Sequence, residues 1–148
     1  MSKIKVYCFT GTRADYPRIR PVLELIHAKN KKFELGLVVT GQHLLKSRGS
    51  SINLIKKDKF RILAKIPMFE ENVDTYEQNT FAFSRCVNGR TKFLSKNKPD
   101  VALVTVDRVE TLAIACVCRV LGVPICHIQG GEISGTQDEV FRHSISKL

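Results

Sequence analysis

Tryptophan is absent from this 148-residue chain, methionine occurs twice, and only 5 prolines and 9 glycines interrupt it. So few prolines and glycines exclude a collagen-like or low-complexity chain. No apolar run approaches the roughly 20 residues needed to cross a bilayer, so no membrane partner is expected. Residues 3–9 (KIKVYCF) are too short and too broken by charge for the core of an export signal, and no small-residue cleavage site follows them. The chain is read as cytoplasmic. With 43% hydrophobic and 26% charged residues, it has the composition of one globular domain with room for a single core.

Acidic residues are scarce: 14 Asp and Glu face 24 Lys and Arg, a net charge of +10. The imbalance is regional. Residues 1–100 hold 20 basic and 9 acidic groups, whereas residues 101–148 hold 4 and 5. A basic surface favours anionic partners: nucleic acid, an acidic membrane face or phosphorylated small molecules. Here the lysines are scattered (Lys29, Lys31, Lys32, Lys56, Lys57, Lys59) and no aromatics lie between them. They read as a solvated face, and no nucleic-acid partner is expected. The five cysteines, Cys8, Cys86, Cys116, Cys118 and Cys126, are odd in number and lie among apolar residues. Without an export signal they read as reduced, buried thiols. Cys116 and Cys118 fall on different faces of a helical pattern, and adding Cys126 and His127 gives no zinc spacing. No metal and no cofactor are expected.

Five short β-branched runs stand out at 3–9, 33–39, 60–66, 101–106 and 124–128. Helical patterns separate them. Ile19, Val22, Leu23 and Ile26 make one apolar face within 17–29, with Pro17 in the first turn and Asp15 nearby as a cap candidate. A weaker helix is expected at about 50–58. A longer one lies within 75–97, with Tyr76, Thr80, Phe83, Val87 and Phe93 along it. Another spans 108–121 and stops at Gly122-Val123-Pro124. A last pattern over 138–148, with Val140, Phe141, Ile145 and Leu148, still runs at the final residue. Strands alternating with helices predict an α/β fold: a parallel, Rossmann-like sheet with helices on both faces and strand order 3-2-1-4-5.

Ligands of such sheets bind beyond the carboxyl ends of the strands, beside the point where the strand order reverses. Polar residues collect there. Thr10-Gly11-Thr12-Arg13-Ala14-Asp15-Tyr16 follows the first strand and Thr40-Gly41-Gln42-His43 the second. Asp107-Arg108-Val109-Glu110 follows the fourth. Gln129-Gly130-Gly131-Glu132 and then Asp138, Arg142 and His143 follow the fifth. Taken singly, each cluster has a plain structural reading: Gly11 and Gly41 as tight turns, Asp107 as a helix cap or the partner of Arg108, Asp138 as an N-cap. Together they put several carboxylates, arginines and a histidine at one sheet edge. Neighbouring carboxylates suit acid–base work because mutual repulsion raises a pKa toward neutrality. Arginines and a helix N-terminus suit a phosphate or pyrophosphate.

These motifs resemble the hydrolysing UDP-N-acetylglucosamine 2-epimerase family: Gly-Thr-Arg-Ala-Asp-Tyr, Thr-Gly-Gln-His, Asp-Arg-x-Glu, His-Ile-Gln-Gly-Gly-Glu and Asp-Glu-x-x-Arg-His-Ser-Ile-Ser-Lys, in that order. The stretch from His127 to Lys147 is the most specific. The resemblance implies one N-terminal Rossmann-like domain, residues 1–148, of a two-domain GT-B-like enzyme whose C-terminal domain supplies most nucleotide contacts. It implies conversion of UDP-N-acetylglucosamine to N-acetylmannosamine and UDP through 2-acetamidoglucal, at the start of sialic-acid-type sugar synthesis. By motif match Asp107, Glu132 and Asp138 are the acid/base candidates. Arg13, Asp15, His43, Arg108, Gln129, Arg142 and His143 are the substrate-binding candidates.

Without a second wall the cleft cannot close, so little turnover is expected of residues 1–148 alone. Separated Rossmann-like halves often expose apolar surface, which leaves a homo-oligomer as an open expectation. Two positions depart from the family pattern: Val106 stands where glycine is usual, and Gln129 where some relatives carry Glu. The alternatives are a GDP-linked or diacetamido substrate, or a truncated or degenerate domain that binds a sugar nucleotide without catalysis.

Overall fold

The computed structural model describes residues 2–73 and 75–148. Five strands form one sheet: β1 (Ile4–Thr10), β2 (Phe33–Thr40), β3 (Ile62–Ile66), β4 (Val101–Thr105) and β5 (Ile125–Ile128). All pairings are parallel and the order is β3-β2-β1-β4-β5, as the alternating pattern predicts. The helices are α1 (Tyr16–Ala28), α2 (Ile52–Lys57), α3 (Tyr76–Leu94), α4 (Val109–Val120) and α5 (Asp138–Lys147). A 3-10 turn at Gly41–Leu44, which the sequence pattern did not announce, follows β2. No helix of the described residues is long and apolar enough to cross a membrane.

Period-two alternation divides the strands between two cores. Val6, Cys8, Leu35, Leu37 and Val39 pack on Ile19 and Leu23 of α1 and on Ile52 and Ile55 of α2. Tyr7, Phe9, Val38, Ala102 and Val104 face the other way, onto α3, α4 and Ile145 of α5. The sheet is thus a layer between helices, and its carboxyl edge is left for the loops. The helix stop after α4 is a Schellman turn: Gly122 sits at φ 65°, its N–H meets the Arg119 carbonyl at 3.2 Å, and Val123 N–H meets that of Cys118 at 2.8 Å.

Three expectations are corrected. The buried stripe of α3 is Ala82, Cys86, Arg90 and Leu94; Phe83, Val87 and Phe93 flank it, and Tyr76 lies in solvent. Small residues at i and i+4 bring α3 close to α4, and the aliphatic stem of Arg90 continues the stripe. Second, the cysteines are not uniformly buried: Cys8, Cys86 and Cys118 are, Cys116 is half-buried and Cys126 is exposed. Third, Asp15 occupies the N-cap position of α1, but its carboxylate does not cap the helix. It turns back to take hydrogen bonds from Thr12 N–H (3.1 Å) and Thr12 Oγ1 (2.7 Å).

Candidate functional site at the carboxyl edge of the sheet

Arg142 of α5 joins two of the sequence candidates. Its Nη2 donates to Asp107, just beyond β4, and its Nη1 donates to the Glu132 carbonyl at 2.8 Å, in the loop after β5. One guanidinium therefore ties the ends of adjacent strands together, with both Asp107 and Arg142 largely shielded from solvent. The pairing of Asp107 with its neighbour Arg108, one of its two plain structural readings, is not found among the described residues. Arg108 instead pairs with Glu110, Nε to Oε1 at 3.0 Å. The Glu132 side chain, by contrast, lies in solvent.

A cleft of ≈ 640 Å³ opens beside this bridge. Arg108 and Asp138 line it on the polar side, and Phe69, Tyr76, Val109 and Phe141 supply apolar surface. A smaller cavity of ≈ 370 Å³ holds Arg13; Gln42, Ser47 and Arg48 line both, so the two spaces adjoin. Asp138 opens α5, with Gln137 rather than Asp138 at the cap position. Among the described residues no three His, Cys, Asp or Glu side chains gather as a metal-ion cluster.

The loops after β1 and β2 interlock. His43 is fully buried; its Nε2 meets Thr10 Oγ1 at 2.9 Å and its Nδ1 meets Ser51 Oγ at 2.8 Å. Its backbone N–H bonds the Gly11 carbonyl at 3.1 Å, and its ring stands edge-on to Tyr16. Burial pushes the imidazole pKa down to about 4, so the ring is neutral near pH 7. Asp15 is also buried. Desolvation, with Glu110 adding to it, holds its carboxyl above the ordinary range, against the hydrogen bonds from Thr12 and the attraction of Arg108. His43 and Asp15 are thus buried in the loops that carry Gln42 and Arg13 to the cavities, with their side-chain polar atoms already engaged.

Glu110 was visible in the Asp-Arg-x-Glu motif, yet sequence reasoning gave it no place among the site residues. It is 1% exposed, carries Arg108 on Oε1 and has no partner on Oε2 among the described residues. The signal available was a carboxylate in the first turn of an otherwise apolar helix.

The loop after β5 rests on a relay. Gly131 N–H donates to Ser146 Oγ at 3.0 Å, Ser146 Oγ lies 3.0 Å from His127 Nδ1, and His127 Nε2 lies 2.8 Å from the Val106 carbonyl. One neutral tautomer, with the proton on Nε2, satisfies every link. Val106 itself sits at φ 60°, in the left-handed region that a β-branched residue rarely adopts, and Gln129 at φ 59°. Gln129 accepts from Arg18 at 3.3 Å. His143 stands apart from the cleft on the exposed face of α5, 3.9 Å from Glu139.

The family model for UDP-N-acetylglucosamine 2-epimerase matches residues 26–148. A UDP-N,N'-diacetylbacillosamine 2-epimerase (hydrolyzing) of Legionella pneumophila is 40% identical over 144 residues, covering 97% of this chain and 38% of that protein. A UDP-N-acetylglucosamine 2-epimerase of Neisseria meningitidis is 32% identical over 157 residues, covering 97% and 37%. Among solved structures, the Neisseria meningitidis UDP-GlcNAc 2-epimerase bound to UDP-GlcNAc superposes with a TM-score of 0.80 at 20% identity, over 97% of this chain and 38% of that one. The chain spans well under half the length of these relatives. Matched over most of its residues by the family model and at 40% identity by a relative, the chain belongs to the UDP-N-acetylglucosamine 2-epimerase family.

Proposed function

We propose that this chain is the N-terminal, GT-B-like half of a hydrolysing 2-epimerase that acts on a UDP-linked 2-acetamido sugar. The observation that carries the reading is the Arg142 bridge, which holds Asp107 and the Glu132 loop at one edge beside a cleft lined by Arg108 and Asp138. A carboxylate of the set Asp107, Glu132 and Asp138 takes the proton from C2 of the sugar. The C1–O bond breaks, UDP departs with the bonding pair, and a C1=C2 double bond remains. Water then adds its hydroxyl to C1 and a carboxylic acid returns a proton to C2 from the opposite face. One water is consumed, and the released sugar is the C2 epimer.

The C2 proton is weakly acidic, so the base must be placed within hydrogen-bond reach and shielded from water. Negative charge grows on the departing diphosphate, and Arg108 with Arg13 supplies cations along the adjoining spaces. Arg142, with an N–H of each Nη group on a protein oxygen, orients Asp107. Residues 1–148 alone present one wall of the cleft, and turnover requires a second. A UDP-linked diacetamido sugar is the second reading, favoured by the higher identity to the Legionella protein. The test offers UDP-N-acetylglucosamine and its diacetamido counterpart to the protein expressed from its own gene, and follows UDP release. Release from one of them, lost in Asp107→Asn, is the expected result; release from neither would refute the reading.

A further inference from the structure

Three loops meet at Glu110. It enters from the first turn of α4 and is almost completely buried. A Cβ at Gly11 would lie 2.6 Å from its Oε1 and 2.8 Å from its Cγ. A Cβ at Gly41, which holds φ 57°, would lie 3.2 Å from the same Oε1 and 2.8 Å from the Gly11 carbonyl. The close approach of this carboxylate requires glycine at 11; at 41 the Gly11 carbonyl and the positive φ require it, with the carboxylate adding a tight contact. The Gly-Thr-Arg and Thr-Gly-Gln-His motifs, read above as tight turns, together form a slot for a side chain from a third motif.

The slot gives Glu110 one exit. Its Oε1 takes Arg108 Nε at 3.0 Å, and Arg108 lies at the cleft surface, about one-third exposed. The Arg108 side chain makes no other hydrogen bond or ion pair among the described residues, although Asp15 and Asp138 attract it, so its Nη groups remain available to a ligand. A guanidinium held through Nε presents those groups as a fixed fork, the arrangement that suits phosphoryl oxygens. An arginine left on an exposed stem would lose rotamer entropy on binding, and prior anchoring removes that cost.

We propose that Glu110 is a positioning residue that, seated in the Gly11–Gly41 slot, fixes the Arg108 guanidinium at the cleft as a receptor for the phosphoryl groups of the substrate. The substrate part rests on the reading under Proposed function; the anchoring part does not. Two measurements separate them. In the purified chain, exchange of the Arg108 Nε proton with solvent, read by ¹H–¹⁵N NMR, is expected to be slower than that of exposed Arg13. In Glu110→Gln it is expected to approach the Arg13 rate, with chemical shifts elsewhere retained. Equal Arg108 rates in the wild type and Glu110→Gln would overturn the proposal, whatever the domain catalyses.

The second measurement is a kinetic cycle in the protein expressed from its own gene, with UDP-N-acetylglucosamine or its diacetamido counterpart as substrate. Glu110→Gln is expected to raise KM about tenfold, more than it lowers kcat, and to add nothing in an Arg108→Ala background. Additive losses in both backgrounds would mean that Glu110 acts without Arg108, and would overturn the proposal. Absence of turnover in the wild type would strike the substrate reading, and the exchange rates would still decide the anchoring. Glu110→Asp, which keeps the charge on a shorter stem, is expected to recover part of the KM.

Discussion

Replacing Val106 by alanine and by glycine is expected to give glycine as the more stable of the two, the reverse of their order in ordinary extended backbone. Val106 holds φ 60° and is 8% exposed. The left-handed conformation costs an L residue about 1–2 kcal/mol, and a β-branched side chain adds crowding. Val106→Ala keeps the backbone strain and removes two buried carbons, a loss of about 1.5 kcal/mol. Val106→Gly loses more packing but releases the strain. Where φ is positive, alanine falls below glycine by at least about 0.4–1 kcal/mol. In an unstrained strand glycine would instead fall about 0.5–1 kcal/mol below alanine. The two cases differ in sign, so urea unfolding of both variants, read as the free-energy difference, separates them. A Val106→Gly variant less stable than Val106→Ala would refute the strained turn. The geometry matters for the site because the Val106 carbonyl receives His127 and the next residue is Asp107.

Further outcomes follow from the same contacts. His43 has its pKa lowered to about 4 by burial, against an ordinary 6.5. The unfolded chain then binds the extra proton first, so this group costs stability as pH falls from about 6.5 toward about 4, by about 3 kcal/mol in all. Urea titrations across that window are expected to show a shallower slope in His43→Gln than in the wild type; equal slopes would contradict a buried neutral ring. Asp15, held above the carboxylate range by desolvation, acts in the opposite sense at lower pH, which is why the comparison is made between variants. Gly11→Ala is expected to lose about 1–3 kcal/mol by overpacking against Glu110, which is too buried to swing aside; an unchanged unfolding midpoint would contradict the slot. Ser146→Ala removes the acceptor of Gly131 N–H and the partner of His127 Nδ1. At this exposed position the expected loss is about 1 kcal/mol, with earlier proteolysis in the loop after β5.

The order of the sheet was legible because each element carried its own period: two in the strands, 3.6 in α1 and α4. The carboxyl-edge clustering was legible too, since topology alone decides which loops share an edge. Side-chain pairing was not. Asp107 and Arg108 are neighbours in sequence, yet Asp107 turns to Arg142, 35 residues on, while Arg108 turns to Glu110. Sequence spacing says nothing about which of two carboxylates an arginine reaches when α5 folds back over the sheet edge. Burial of polar groups was equally hidden. His43 and Glu110 look like surface chemistry in a linear motif, but interlocked glycine turns bury both. The helical face of α3 was misread because aromatics weigh heavily in a pattern, whereas the tight α3–α4 contact prefers Ala82 and Cys86. Arg90, wholly buried on that stripe with Nε and Nη2 lacking hydrogen-bond partners among the described residues, carries no sign of that burial in its local sequence.

Under the proposed function a proton moves at C2 of a nucleotide-linked amino sugar, with Asp107 held for it by Arg142. The most direct test is proton NMR of UDP-N-acetylglucosamine, or its diacetamido counterpart, incubated in D₂O with the protein expressed from its own gene. The expected result is UDP release together with deuterium at C2 of the freed epimer, both abolished in Asp107→Asn and sharply reduced in Arg142→Ala. Release of UDP with the C2 proton retained, or an Asp107→Asn variant as active as the wild type, would contradict it.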